Sequence, residues 1–278
     1  MAIITLTTDF GEKDHFVGAI KGSIYSELED VKIVDISHAI SPFNVMEAAY
    51  IIQNAYSSFP KGSIHLIGID SELNPENKHI ALKLNDHYFI CANNGIMSMI
   101  CNEITPEKIV EINIHDKIET NFPVLDVFVR VACHIARGGT LEVVGKIISE
   151  IKPIKNLNPF VNEDQSQIIG SVIYIDNYGN VITNIRRKYF EQVQKGRAFE
   201  ISARSYKFKE IHTKYSDIVN FDMPEEDRQD EGRGLVVFNS SDYLEIAIYK
   251  SDLATVGSAS SLMGLQMRDT VTVNFLKA

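Results

Sequence analysis

Short apolar runs alternate with amphipathic segments along the first half of the chain. Residues 3–7, 31–36 and 63–69 are apolar, mostly β-branched runs, and each predicts a buried strand. The segments 17–28 and 45–59 between them have the spacing of amphipathic helices. Strands that alternate with helices in this way predict a mainly parallel sheet with helices packed on it.

Two further elements are predicted before the middle of the chain. Residues 80–84 and 88–92 predict a hairpin that turns at Asn85 and Asp86. Residues 126–137 predict a helix, which two consecutive glycines would end.

The pattern changes after a polar, proline-containing stretch at 153–167, where we place the domain boundary. Beyond it, short β-rich runs separated by turn residues predict a small β-barrel or sandwich; they are 170–175, 181–185, 234–239, 243–248 and 270–275. The acidic segment 224–232 is interpreted as a solvated loop. The chain is therefore predicted to be an α/β protein with an N-terminal, mainly parallel α/β sandwich domain (1–155) and a smaller C-terminal β-barrel domain (167–278).

Composition narrows the class of protein. Of the 278 residues, 45% are hydrophobic and 23% are charged, as in an ordinary globular protein. The net charge of -10 argues against a nucleic-acid partner, which favours clustered Lys and Arg. Three cysteines without a CxxC spacing argue against a disulfide framework, and no apolar stretch is long enough to cross a membrane. We expect a cytoplasmic protein without nucleic-acid or membrane partners.

Aspartates lie at the ends of three predicted strands. Asp9, Asp35 and Asp70 are expected along one rim of the sheet, because ligands gather beyond the carboxyl ends of parallel strands. His38 and His134 have no neighbours at metal-ligand spacing, so no metal site is predicted.

Three separated stretches carry a family resemblance. They are TLTTDFG at 5–11, continued by VGAIKG at 17–22; ANNGI at 92–96; and IDNYGNVITNI at 175–185. Weaker similarity occurs at 35–38, 42–45 and 243–247. Together, and in this order, they resemble the S-adenosylmethionine (SAM) hydrolases, or hydroxide adenosyltransferases, and the related SAM-dependent chlorinases and fluorinases.

This resemblance implies an architecture and a ligand. An N-terminal α/β domain would be followed by a C-terminal β-barrel. A homotrimer would hold each ligand between the N-terminal domain of one subunit and the barrel of the next. The ligand would be SAM or another small adenosyl molecule, with no metal and no cofactor besides SAM as substrate.

The resemblance also implies binding roles for individual residues. Asp9 would accept hydrogen bonds from both ribose hydroxyls, since charge-assisted hydrogen bonds are strong. Asp176 would pair with the amino group of the methionine portion, and Asn180 would contact the adenine edge. Further ligand contacts are expected from Phe43, Asn94, Phe122, Tyr178, Ser240 and Ser241.

The residues expected to act on water match the family only in part. The resemblance implies an Asp, Arg and His triad, of which Asp70 is present. Asn77 or Lys78 occupies the position of the Arg, and Pro123 replaces the His. Lys can supply charge but lacks the planar fork of Arg, and Pro has no titratable group. Val124 stands where the halogenases carry a hydroxyl, which argues against a halogenase.

Three functions remain open at this point. The first is hydrolysis of SAM to adenosine and methionine by in-line attack of water on the ribose 5′ carbon. The second is a non-catalytic protein that binds or senses an adenosyl ligand with a degenerate triad. The third is a different nucleophile or a different nucleoside substrate.

Overall fold

The computed structural model of the chain describes residues 2–101, 104–114, 118, 120–154, 158–228 and 230–276. They form two compact units, Met1–Ile154 and Lys155–Ala278, which are considered separately below. The predicted domain ends at residues 155 and 278 lie outside the described residues.

Unit 1 is built on one mixed sheet. Its strands are β1 (Ala2–Thr8), β2 (Val31–Ser37), β3 (Ile64–Gly68), β4 (His79–Leu84), β5 (His87–Ala92), β6 (Lys108–Ile112) and β7 (Gly145–Ile147). Their order is β2-β1-β3-β5-β4-β6-β7. The ladders that join β2, β1, β3 and β5 are parallel, and those that join β5, β4, β6 and β7 are antiparallel. The predicted α/β class is confirmed, with the parallel part confined to one side of the sheet.

Helices cover both faces of this sheet. They are α1 (Phe16–Glu27), α2 (Val45–Ala55), α3 (Ile96–Cys101) and α4 (Val129–Ala136). Buried side chains of α1 and α4 share one apolar core with Ile4 and Leu6 of β1, whereas those of α2 and α3 share another with Leu82 and Phe89. Burying each such Leu, Ile or Phe side chain contributes about 1.5–3 kcal/mol.

Local sequence determines several boundaries. Asn44 begins α2 by accepting the Glu47 N–H on its side-chain oxygen at 3.2 Å, which satisfies one unpaired donor of the first turn. At the turn between β4 and β5, Asn85 and Asp86 both have positive φ, 51° and 62°, as the predicted tight hairpin requires. The helix predicted at 126–137 begins earlier, because a π-helical turn at Val124–Phe128 precedes α4.

Unit 2 is an antiparallel, nearly closed barrel around one apolar core. Its strands are β8 (Phe160–Val161), β9 (Gln167–Ile175), β10 (Val181–Arg186), β11 (Phe199–Ala203), β12 (Tyr206–Phe208), β13 (Gly234–Phe238), β14 (Tyr243–Ile248) and β15 (Thr270–Phe275). They run in the order β12-β11-β15-β9-β10-β14-β13, with β8 added beside β9. The short helices are α5 (Arg187–Gln194) and α6 (Ala259–Leu262). The predicted barrel is confirmed.

Across the residues that the structure describes, every helix is too short or too polar to cross a membrane.

Candidate functional site

Asp9 follows directly on β1 and organises a turn from a distant part of the chain. Its carboxylate Oδ2 accepts the N–H of Phe43 at 2.8 Å. Phe43 has a φ of 60°, an uncommon conformation for a residue with a side chain, and 73% of it is exposed. The Asp9 contact therefore stabilises a turn that presents an aromatic ring to solvent.

The electrostatics of Asp9 set it apart from an ordinary surface aspartate. Burial raises the pKa of Asp9, and the negative charge of nearby Asp70 raises it further. The Phe43 N–H and the backbone N–H of Asp9 itself lower the pKa and offset part of this effect. Two carboxylates thus lie near each other beyond the ends of β1 and β3, where a ligand with hydroxyl or cationic groups would be attracted.

A buried histidine, His38, stabilises the loop that carries Asp9. Thr8 Oγ1 and His38 Nδ1 are 2.8 Å apart, and the His38 carbonyl accepts the Gly11 N–H at 2.9 Å. On its other side, His38 Nε2 lies 3.1 Å from Asp35 Oδ1. His38 therefore links the end of β1 to β2.

Asp35 is not part of the rim that the sequence predicted. β2 continues past it to Ser37, and Asp35 lies opposite Leu6 inside the ladder with β1. Its Oδ2 lies 2.5 Å from Lys21 Nζ. That lysine hydrogen bond and the contact with His38 lower the pKa of Asp35 against the effect of burial. The observed rim holds Asp9 and Asp70.

Asp70 is held in an uncommon backbone conformation, with a φ of 43°. The Asn94 side-chain amide donates to the carbonyl of Ile69 at 3.0 Å, just before it. The Asn77 amide donates to the carbonyl of Asp70 itself at 2.8 Å. These two hydrogen bonds hold the backbone at Asp70, while Asp70 itself is exposed and its carboxylate is accessible.

Asn77 and His79 extend this clamp along the loop. Asn77 Nδ2 also lies 3.2 Å from the Glu72 carbonyl, and His79 Nε2 lies 2.9 Å from the Ser71 carbonyl. Asn77 is only 6% exposed. Its amide group therefore works on the backbone of the 70–72 segment, whereas the neighbouring Lys78 is exposed.

An apolar wall lies beside the two aspartates. A Cβ added to Gly68 would meet Val124 Cγ2 at 3.1 Å, Thr8 Cγ2 at 3.2 Å and Phe10 Cζ at 3.3 Å, so these groups pack closely against the end of β3. The ring of Phe122 contacts that of Phe10, with centroids 5.6 Å apart.

Pro123 and Val124, the residues at the positions of the family histidine and hydroxyl, are both buried in this wall. Neither side chain offers a hydrogen-bond donor to the two aspartates.

In unit 2, the turn between β9 and β10 is organised by Asp176. Its Oδ1 accepts the N–H groups of Tyr178 and Asn180, each at 2.9 Å, and its Oδ2 accepts the Asn180 amide at 3.1 Å. Asn180 is 6% exposed, and its Oδ1 has no hydrogen-bond partner in the structure. Tyr178 is 63% exposed. The turn thus presents a carboxylate, an aromatic ring and an amide with an unused acceptor.

The second turn of interest joins β13 to β14 and contains Ser240 and Ser241. Asn239 Oδ1 accepts the N–H of Ser241 at 3.0 Å and that of Tyr243 at 3.1 Å. Arg187 Nε donates to Asp242 Oδ1 at 2.9 Å from the start of α5. The conformation around the two serines is therefore held by side chains that the sequence did not single out.

Both halves of the chain match models of one family. The model of the SAM hydroxide adenosyltransferase N-terminal domain matches residues 4–145, and that of the C-terminal domain matches residues 170–272. The chain belongs to the SAM hydroxide adenosyltransferase family. The resemblance inferred from the three motifs is confirmed, and the chain is a member of a family of SAM-using proteins.

Members of this family with assigned activities cover nearly the whole chain. An (R)-S-adenosyl-L-methionine hydrolase of Methanocaldococcus jannaschii is 29% identical over 98% of this chain and 95% of its own. A fluorinase of Actinopolyspora mzabensis is 23% identical over 91% of this chain and 92% of its own. Both hydrolases and halogenases therefore occur among the relatives.

Two solved structures share the fold. An uncharacterized conserved protein from Thermotoga maritima superposes with a TM-score of 0.81 at 27% identity, covering 99% of this chain and 100% of its own. A conserved hypothetical protein from Thermus thermophilus gives a TM-score of 0.72 at 20% identity over 99% of this chain and 100% of its own, which supports the fold alone.

The family residues fall into two groups, each within one unit. In unit 1, Asp9, Phe43, Asp70 and Phe122 lie around the ends of β1 and β3, with Asn77 and Asn94 in the backbone clamp. In unit 2, Asp176, Tyr178 and Asn180 share one turn, and Ser240 and Ser241 share another. The ligand roles of these residues, and of Lys78, remain predictions.

Sequence reasoning missed the residues that support these groups. His79 clamps the 70–72 segment, and Asn239 shapes the serine turn. The Asn-Ser-Ser-Asp run is a local turn signal that could have identified Asn239, but nothing near His79 in sequence indicates its acceptor. Within the described ranges, no cluster of three or more His, Cys, Asp or Glu side chains could hold a metal ion.

Proposed function

We propose that this protein hydrolyses SAM to adenosine and methionine. The observation that carries the proposal is the pair of neighbouring carboxylates, Asp9 and Asp70, beyond the ends of β1 and β3 in a chain that matches the SAM hydroxide adenosyltransferase family over both halves. The hydrolase from Methanocaldococcus jannaschii, which is similar over nearly the full length, supports the same reaction.

The reaction needs little acid-base catalysis from the protein. Water attacks the ribose 5′ carbon, the bond from this carbon to sulfur breaks, and its electron pair stays on sulfur, so methionine leaves as a neutral thioether. The attacking water loses one proton, which passes to solvent through Asp70. Because the leaving group needs no proton, positioning and partial desolvation of the water carry most of the task.

The described residues divide this task between them. Asp9 accepts the ribose hydroxyls, and the ring of Phe43 lies against the nucleoside. Asp70 orients the water; the Asn77 amide holds its carbonyl, and the Asn94 amide holds the carbonyl of Ile69 before it. The wall of Phe122 to Val124 excludes bulk solvent. Lys78 is the cation nearest in sequence to the position of the family arginine.

We extend the proposal to the assembly that the family resemblance implies. In a homotrimer, the 176–180 and 239–243 turns of one subunit would complete the site of the next, with Asn180 on adenine, Asp176 on the amino group, and Ser240 and Ser241 on the carboxylate of the methionine portion.

The described cysteines, Cys91, Cys101 and Cys133, are free and buried, which supports a reducing compartment such as the cytoplasm.

The proposal is tested by incubating purified protein with SAM in water enriched in oxygen-18. Adenosine and methionine should appear in equal amounts, with the label in the 5′ hydroxyl of adenosine. Asp70→Asn should lower the rate at least tenfold. The control is Asp14→Asn, which changes an exposed aspartate outside the proposed site and should leave the rate unchanged. Adenine would show cleavage of the glycosidic bond instead, and adenosine without label would show that an oxygen other than that of water attacks the 5′ carbon; either result would contradict the proposal.

A second candidate is a protein that binds an adenosyl ligand without reaction. It is supported by Pro123, which has no titratable group, and by Asn77, whose amide is already engaged with the backbone. Calorimetry separates the two, since SAM binding without adenosine or methionine as products would favour the binding protein.

A further inference from the structure

Glu245 is a carboxylate in an unexpected place. It lies in the middle of β14, is only 3% exposed, and stands opposite two apolar residues, Ile182 of β10 and Val237 of β13. Burying a carboxylate costs several kcal/mol unless it is hydrogen-bonded or paired with a charge. A carboxylate in a barrel wall therefore needs hydrogen-bond donors or a charged partner.

Two donors satisfy this carboxylate. The Tyr215 hydroxyl donates to Glu245 Oε1 at 2.7 Å, and the side-chain amide of Asn239 donates to the carboxylate as well. Tyr215 comes from a short segment outside the barrel strands, and Asn239 follows β13. Glu245 thus joins a loop, a turn and a strand.

Through Asn239, Glu245 reaches the serine turn. Asn239 uses its amide nitrogen on Glu245 and its oxygen on the N–H groups of Ser241 and Tyr243, at 3.0 and 3.1 Å. Holding the amide nitrogen fixes which way the oxygen points. The geometry of the 239–243 turn therefore depends on an acceptor at position 245.

Glu245 also lies close to Asp176 in the sheet. Ile182 pairs with Glu245, its neighbour Val181 pairs with Ile175, and Asp176 follows Ile175 directly. The negative charge of Asp176 acts on Glu245: burial raises the pKa of Glu245, and Asp176 raises it further, while Tyr215 and Asn239 lower it. A cation bound at Asp176 would relieve this repulsion.

We propose that Glu245 is a positioning residue that gives the site its specificity for the amino-acid end of the ligand. It shapes the serine turn through Asn239 and places a second negative charge behind Asp176, so that an ammonium group is held more strongly than by Asp176 alone. This inference rests on the proposed function, in which Asp176 and the two serines hold the methionine portion.

The test compares two stable thioethers by calorimetry on the full chain. S-adenosylhomocysteine carries the amino-acid end, and 5′-methylthioadenosine lacks it. Glu245→Gln keeps the size and one acceptor oxygen but removes the charge. Glu245→Gln should weaken the binding of S-adenosylhomocysteine at least tenfold, about 1.4 kcal/mol, and should change the Kd for 5′-methylthioadenosine by less than twofold. Glu191→Gln, an exposed glutamate in α5, is the matched control and should change neither.

Three other results have defined meanings. If Glu245→Gln weakens the binding of both thioethers equally, the role of Glu245 is purely structural and the inference is overturned. No change in either affinity would also overturn it. Binding of neither thioether by the wild-type chain would overturn the proposed function and the inference with it. If Glu245→Gln does not fold, Asn239→Ala removes the link between Glu245 and the serine turn and should shift the ratio of the two affinities in the same direction.

Discussion

The side-chain amide of Asn77 donates to the main-chain carbonyl of Asp70 at 2.8 Å. Asn77 occupies a position where the family resemblance implies arginine, yet its amide braces the backbone of the residue that would orient water. The exposed neighbour, Lys78, is left as the side chain that can supply a cation. Asn77 thus holds the backbone of Asp70, and the adjacent Lys78 carries the positive charge.

This separation predicts different effects for the two positions. Asn77→Ala leaves the carbonyls of Asp70 and Glu72 without their donor, so the free energy of unfolding should fall by about 1–3 kcal/mol. Turnover should fall with it, and the Kd for S-adenosylhomocysteine should stay within a few-fold. Lys78→Met should lower turnover while the unfolding midpoint in urea stays unchanged. Loss of stability in Lys78→Met but not in Asn77→Ala would contradict the assignment.

Ionised Asp9 should lower the stability of the folded chain and strengthen the binding of the ligand ribose. Its pKa is raised in the folded chain, first by burial and then by Asp70, so ionised Asp9 opposes folding at neutral pH. Asp9→Asn keeps an acceptor for the Phe43 N–H and removes the charge. The melting temperature should therefore stay equal or rise, while affinity for 5′-methylthioadenosine should fall at least tenfold through loss of the charged ribose acceptor. A marked drop in melting temperature would indicate that Asp9 serves the fold.

Gly179 and Gly196 form a matched pair for testing the 176–180 turn. Both have positive φ, 74° and 75°, so Ala carries a similar backbone strain of about 1–2 kcal/mol at either position. Only at Gly179 would the new Cβ clash, 2.3 Å from Ser258 Oγ, whereas nothing lies within 4 Å at Gly196. Gly179→Ala should lose about 1–3 kcal/mol more stability and weaken thioether binding. Equal losses in urea unfolding would show that the turn tolerates the clash.

Two buried histidines should make the protein sensitive to mild acid. His65 Nδ1 lies 2.7 Å from Thr5 Oγ1, and its Nε2 lies 3.1 Å from His87 Nδ1. Burial, and then the nearby His87, lowers the pKa of His65 to about 3, and burial also lowers the pKa of His87.

A histidine with a lowered pKa in the folded state binds its proton first in the unfolded chain. The stability from neutral His65 is fully present above pH 6.5 and is lost as pH falls toward 3, by about 1.4 kcal/mol per pH unit. Urea unfolding at several pH values between 7.5 and 4.5 measures this slope. In His65→Gln the slope should become shallower, even though the variant is less stable at pH 7.5, and an unchanged slope would rule out His65 as its source.

The family motifs located the candidate site more fully than periodicity did. TLTTDFG and IDNYGNVITNI identified Asp9, Asp176 and Asn180, and the structure finds them in the predicted turns. Periodicity identified the main strands of both units because an apolar run is buried wherever the fold places it. It did not reveal the π-helical turn at Val124–Phe128, since that turn depends on how the segment packs against Gly68 and Phe10.

The sequence by itself determined the family, the α/β unit followed by a barrel, and the turns at Asn85 and Asp176, because these follow from apolar patterning and from residues close together in the chain. Only the tertiary structure decided that Asp35 pairs with Lys21, that Asn77 braces Asp70, and that Glu245 is buried behind the serine turn. Each of these depends on which groups meet across a sheet or loop, where a buried polar atom takes whichever partner the fold brings within reach.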